Sequence, residues 1–200
     1  MDLKDIEIFL PKYLSPESNK KLWDGLKQFP DHYEKDFYWN NSNIKEILQG
    51  DGFSDGYIIN LPNTTVKVGN TIIISNSCDI DFNNSRFYET QIILSPIINL
   101  EKYINKLNLR FPGQVDRISE HIQNIRNQKI STIFYLPKSH GMSNEGFIFL
   151  DKLISLPNNV QIRNSYFMNQ LFRLSNLGLY IFLFKLSVHF TRIQEKVDRN

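Results

Sequence analysis

Between Gln49 and Pro157 the apolar positions fall in short runs bounded by turn residues, rich in Ile, Tyr, Phe and Thr, which predicts strands over 56–61, 71–75, 89–96, 130–136 and 146–150, with a short one near Ile154. The period changes between the third and fourth runs. There, 99–109 and 114–127 place apolar residues at helical spacing, with Val115, Ile118, Ile122 and Ile125 in one row. Before this region, a helical pattern over 20–29 sits among Pro11, Pro16 and Pro30, so residues 1–47 read as an irregular, partly helical N-terminal layer. After it, one long helix is expected over 165–195, capped by Asn164 or Ser165. Met168, Phe172, Leu179, Phe182, Leu186, Phe190 and Ile193 form one apolar stripe and Phe167, Leu171, Leu174, Ile181 and Val188 a second, with Asn169, Arg173, Asn176 and Ser187 between them. Two apolar faces call for two neighbours, the sheet and a further subunit. The pattern thus divides the chain into 1–47, a β-rich domain over 48–160 with a helical insertion near 99–127, and a helical element over 161–200.

Composition narrows the class. Two hundred residues suffice for a packed core without staples, and a single cysteine excludes an internal disulfide. The opening "MDLKDIEIFLPKYL" lacks the basic region and unbroken apolar stretch of a secretory leader, so a cytoplasmic location is expected. The net charge of +2 hides an asymmetry: Lys and Arg against Asp and Glu number 9 against 14 in residues 1–100 and 14 against 7 in residues 101–200. A basic second half suits an acidic partner or nucleic acid, although its charges are dispersed. The uncharged run from Leu174 to Phe184 is 11 residues, short of the roughly 20 that cross a bilayer, so no membrane partner is expected.

The most informative stretch chemically is "TIIISNSCDID", where an apolar strand stops in a polar turn holding the only cysteine. Cys78 is a candidate nucleophile, but a reactive thiol needs a cation, a histidine or a helix N-terminus beside it, and the adjacent Asp79 disfavours the thiolate. The alternative is a small side chain that fills the strand end while Asp79 caps the turn. Cys78, Asp79 and Asp81 mix hard and soft ligands without a second cysteine or a spaced histidine pair, so no metal is expected. Gly50-Asp51-Gly52 reads as a turn opening the first strand. Gly50, Gly52 and Gly56 are not followed by Lys-Ser/Thr, and no Gly-x-Ser-x-Gly elbow or His-Glu-x-x-His helix occurs, so no cofactor is expected. Lys138, Ser139 and His140, in the polar loop around Gly141, are candidate ligand contacts.

The order "QGDGF", "GYIINLP", "VGNTIIISNSCDID" resembles the opening of MazF/PemK-like small barrels. The chain is also similar to a poorly characterised bacterial set with a Ser-x-x-Cys-Asp turn (Ser75 to Asp79), a later "FYLP", an "FLDKLISLP" segment and a closing helix. The first resemblance implies an α+β, SH3-like barrel, dimerisation and cleavage of single-stranded RNA. Gly50 and Asp51 match the opening pair and Ser75 the serine after the second apolar strand. Gly69-Asn70 replaces the usual Arg-Pro, and Cys78-Asp79 stands where the family tends to place a catalytic hydroxyl.

Two readings follow. One is a cytoplasmic bacterial interaction or regulatory protein, part of a toxin-like or phage-defence assembly, whose C-terminal helix contacts a protein partner or a second copy. The other is a ribonuclease with an altered site built from Asp51, Cys78 and Asp79, or a non-catalytic module binding single-stranded RNA. Ser75, Ser77, Arg86, His140 and Arg173 are the candidate ligand or partner contacts.

Overall fold

The computed structural model describes residues 15–30, 33–39, 46–84, 86–138 and 141–191. Ser139, His140 and the expected end of the last helix, 192–195, lie outside the described residues. The first helix among the described residues, α1 (Pro16–Gln28), begins with the side chain of Ser15 accepting from Ser18 N at 3.2 Å. Pro16 therefore opens this helix rather than breaking it, because the first helical residue needs no N–H partner.

Among the described residues eight strands follow, all in antiparallel pairings. They are β1 (Gly52–Asn60), β2 (Asn63–Ile73), β3 (Gln91–Pro96), β4 (Ile98–Asn99), β5 (Ile133–Leu136), β6 (Gly146–Phe149), β7 (Ile154–Pro157) and β8 (Gln170–Phe172). Among the described residues they form a five-stranded sheet, β7-β3-β2-β1-β8, and a three-stranded sheet, β4-β6-β5. The edge strands β7 and β8 do not pair with each other, so the fold is mixed α+β with open sheets and not a closed barrel. The helical insertion is present as α3 (Leu100–Arg110) and α4 (Val115–Arg126), following the one-turn α2 (Ser77–Ile80).

The run Ile72-Ile73-Ile74 is continuous because this end of the sheet is covered on both faces. Ile72 and Ile74 enter the main core, where Phe134 lies between Phe37 at 5.8 Å and Phe182 at 4.8 Å, centroid to centroid. Ile73 points the other way, into a smaller cluster with Phe53, Ile80, Ile92, Leu94 and Tyr166.

The long C-terminal helix is interrupted. Helix α5 (Val160–Met168), capped by Asn159, ends at Asn169, the chain forms β8, and α6 (Asn176–Thr191) begins anew with Gly178 N donating to Ser175 Oγ at 3.1 Å. Pairing with β1 overrides the helical period here: Gly52 faces Phe172, and Ser54 N donates to Asn169 O at 2.8 Å. Gly52 permits this because a Cβ there would sit 2.3 Å from the Phe172 ring. Asn169 and Arg173, read from sequence as a polar strip along one helix, mark the interruption.

Helix α6 buries Leu177, Ile181, Phe182 and Leu186, and with them Lys185, 6 % exposed. Lys185 Nζ donates to Gln128 O at 2.7 Å and Ile130 O at 2.6 Å, anchoring α6 to the turn after α4. Burial pushes its amine down to about 8. An unfolded lysine titrates near ~10.4, so between about pH 8 and 10 the unfolded chain holds the extra proton and stability rises with pH. Above about pH 10 the sign reverses: burial raises the phenols of Tyr33, Tyr38, Tyr135 and Tyr166, which stay protonated in the fold while the unfolded chain ionises. Thermal melts across this range are expected to peak near pH 9–10, and Lys185→Met should flatten the rise while leaving the alkaline fall.

Candidate functional site

Strand β2 stops at Ile73, and the next side chains each close a different gap. Ser75 Oγ accepts from Ile93 N at 2.7 Å and donates to Gln91 O at 3.3 Å, clamping β3 to the strand end. Asn76 caps α2 by accepting from Cys78 N at 2.9 Å, and Ser77 Oγ accepts from Gln49 N at 2.9 Å. Ile80, fully buried, fills the strand end, and Cys78 is exposed. The cap and the plug expected of Asp79 and Cys78 are thus supplied by Asn76 and Ile80. Asp79 instead accepts from Arg86 Nη2 at 2.7 Å, and the same guanidinium donates to Cys78 O at 3.3 Å.

Beneath this rim lies a second pair. Asp51 follows Gly50, whose φ of +83° makes the tight turn into β1, and its carboxylate is completely buried. Arg173 donates from Nε to Oδ1 at 2.8 Å and from Nη2 to Oδ2 at 2.7 Å, and Leu48 N donates to Oδ2 at 2.9 Å. Nη2 also reaches Glu46 O at 2.6 Å, and the guanidinium lies 5.5 Å from the centre of the Trp39 ring. Burial raises the Asp51 carboxyl above its ordinary value, and the hydrogen bonds and charge of Arg173 oppose that rise. With both oxygens occupied, Asp51 fastens the start of β1 to the residue that follows β8.

A buried cation, Arg163 of α5, was not legible as a site residue. Its Nη1 donates to Ile80 O at 2.7 Å and its guanidinium lies 4.4 Å from the centre of the Phe82 ring, so it props α2 from behind.

A cleft of about 950 Å³ runs between α1, the start of α6 and the rim, with Lys21, Trp39, Gln49, Ser77, Arg173 and Asn176 along it. Of the expected site residues it unites Ser77 and Arg173. Asp79, Arg86 and Cys78 meet one another on the outside of α2, and Ser75 serves the sheet. Asp51 and Asp79 each face their own arginine, so the ribonuclease trio of Asp51, Cys78 and Asp79 does not share one free carboxylate pair. Among the described residues no group of three or more His, Cys, Asp or Glu side chains is arranged to hold a metal. No protein-family model and no curated protein matches the chain.

The two arginine pairs differ in burial, so they should differ in cost. Arg173→Met, which strands the buried Asp51 charge, is expected to lose about 3–5 kcal/mol in urea denaturation, and adding Asp51→Asn should recover part of it. Arg86→Met, at an exposed pair, should cost at most about 1 kcal/mol.

Proposed function

We propose that the protein is a bacterial interaction or regulatory protein, a component of a toxin-like or phage-defence assembly, that docks another protein chain on the outer face of α6. The observation that carries this reading is the division of α6 into two apolar faces. Leu177, Ile181, Phe182 and Leu186 are buried, while Phe184 is 64 % and Phe190 61 % exposed, with Leu183 and Val188 partly exposed beside them. Phenylalanine side chains left open on one helix are the usual anchors of helix-to-protein contacts. This helix is not a membrane span: among the described residues none is long and apolar enough to cross a bilayer.

Kinship with MazF/PemK-like proteins belongs to this proposal and rests on Gly50-Asp51 opening β1 and on Ser75 after β2. A cytoplasmic location belongs to it as well. The altered-site ribonuclease and the single-stranded RNA module have less support, because the cations suited to phosphate, Arg86 and Arg173, are each held by a carboxylate at 2.7 Å.

A photo-crosslinking residue at Ser187, which is exposed on the outer face of α6, tests the reading in cells. One discrete adduct is expected from Ser187 and none from Glu120, exposed on α4, and Phe184→Glu should abolish the Ser187 adduct. The adduct's mass tells a second copy from a different partner. Equal labelling from both positions would rule the α6 surface out.

A further inference from the structure

The basic excess of residues 101–200 is only partly spent inside the fold. Arg126 pairs with Glu145, Arg173 with Asp51, and Arg163 and Lys185 donate to backbone carbonyls. Lys102, Lys106, Arg110 and Arg117 are exposed, and none of them has an ion-pair partner among the described residues.

All four belong to the helical insertion, and the packing of α3 on α4 gathers them. Tyr103 Oη and His121 Nε2 lie 3.1 Å apart, so the flank of α3 that carries Tyr103 faces the flank of α4 that carries His121. Side chains one or two turns apart share a helix flank, which places Lys106 and Arg110 with Tyr103 and Arg117 with His121. Lys102 stands one turn before Lys106. The four cations therefore border one groove between the two helices. Most acids of these helices point elsewhere: at 3.6 residues per turn, Glu101 lies about 140° round α3 from Lys106, and Asp116 about 140° round α4 from His121. Glu120, one turn on from Arg117, forms no ion pair with it. Arg117 also occupies the first turn of α4, where the helix dipole disfavours a cation, and it donates to Gln114 Oε1 at 3.3 Å. Like charges gathered in this way repel one another, and a polyanion relieves that repulsion.

The spacing and surroundings of the cations select the polyanion. Lys102, Lys106 and Arg110 recur every four residues, about 6 Å of helix rise, and each strand of a duplex carries a phosphate per about 3.4 Å of axis, so the row keeps step with every second phosphate. Single strands are ordinarily held by bases stacked on free aromatic faces. No described aromatic beside these cations offers one: Arg110 lies 5.3 Å from the centre of the Phe111 ring, and Tyr103 packs between His121 and Phe147. We infer that the groove between α3 and α4 binds the phosphate backbone of a nucleic-acid duplex, without reading its sequence. This surface is separate from α6 and from the partner proposed there.

Fluorescence anisotropy of the full chain compares a labelled duplex, as DNA and as RNA, with the single strand of the same sequence. Duplex binding is expected, and four phosphate contacts should give log K against log salt a slope near about −3.6, a loss on the order of 100-fold between about 50 and 200 mM salt. Lys106→Gln/Arg110→Gln should reduce the steepness of that slope by about 2 and weaken binding at least about tenfold at the lower salt. Lys20→Gln/Lys67→Gln, the same change in net charge elsewhere, should stay within about twofold. Glu120→Gln, which removes the acid beside Arg117, should tighten binding. All these positions are exposed, so the circular-dichroism melts should not change. The tighter duplex identifies the source of the phosphates as DNA or RNA. An absence of duplex binding at the lower salt overturns the proposal, as does equal weakening by Lys20→Gln/Lys67→Gln or tighter binding of the single strand. Competition by poly-glutamate at equal charge would give the groove to an acidic protein, and co-sedimentation with phosphatidylserine vesicles in place of duplex binding would give it to lipid; either result also overturns it.

Discussion

The fork between Asp51 and Arg173 is the contact on which the geometry of the rim depends. It joins residues 122 apart in sequence and places the entry to β1 beside the exit from β8. Leu48 N and Glu46 O bond to the pair and the Trp39 ring lies against its guanidinium, so the cleft wall, which Trp39, Leu48 and Arg173 line, inherits its position. A buried ion pair offsets much of its attraction by desolvation, and its contribution here is better understood as registry: only one arrangement of β8 against β1 satisfies both oxygens.

The polar turn after β2 is organised around the same constraint. Gln49 lies two residues before Asp51 and ties itself to both sides of the turn, through its N–H to Ser77 Oγ and through Nε2 to Ile74 O. Ile80 then closes the smaller core from below, with Arg163 holding its carbonyl. Each polar residue from Ser75 to Asp79 therefore has a local partner, and the apolar strand ends there because its next residues hold other parts of the chain in place.

Much of this was legible in the sequence where the determinants are local. Strands β3, β5, β6 and β7 and helices α3 and α4 declare themselves by period and by flanking turn residues, and the positive φ of Gly50 follows from the turn it opens. What could not be read depends on distant partners. The helical spacing of residues 165–195 is real, yet the chain leaves the helix at Asn169 because Gly52 offers Phe172 a seat more than a hundred residues away. The resemblance to MazF/PemK-like proteins implied a barrel, but closure depends on whether the two edge strands meet, which no pattern along the chain encodes. Lys185 is a lone cation in an apolar stretch, an oddity visible in the sequence, whereas Arg163 sits among Asn, Gln and Ser and gives no such signal; the carbonyl acceptors of neither can be read along the chain.

The lateness of β8 also bears on how the protein is made. Strands β1 and β2 leave the ribosome early, with Asp51 at the head of β1, yet the strand that covers β1 and the cation that neutralises Asp51 are translated about 120 residues later. Until Arg173 emerges, the carboxylate has no arginine and must stay hydrated, so this end of the five-stranded sheet cannot seal during synthesis of the middle of the chain. The three-stranded sheet with α3 and α4, built from nearer contacts, is free to pack first, and the C-terminal quarter then closes the older half around it.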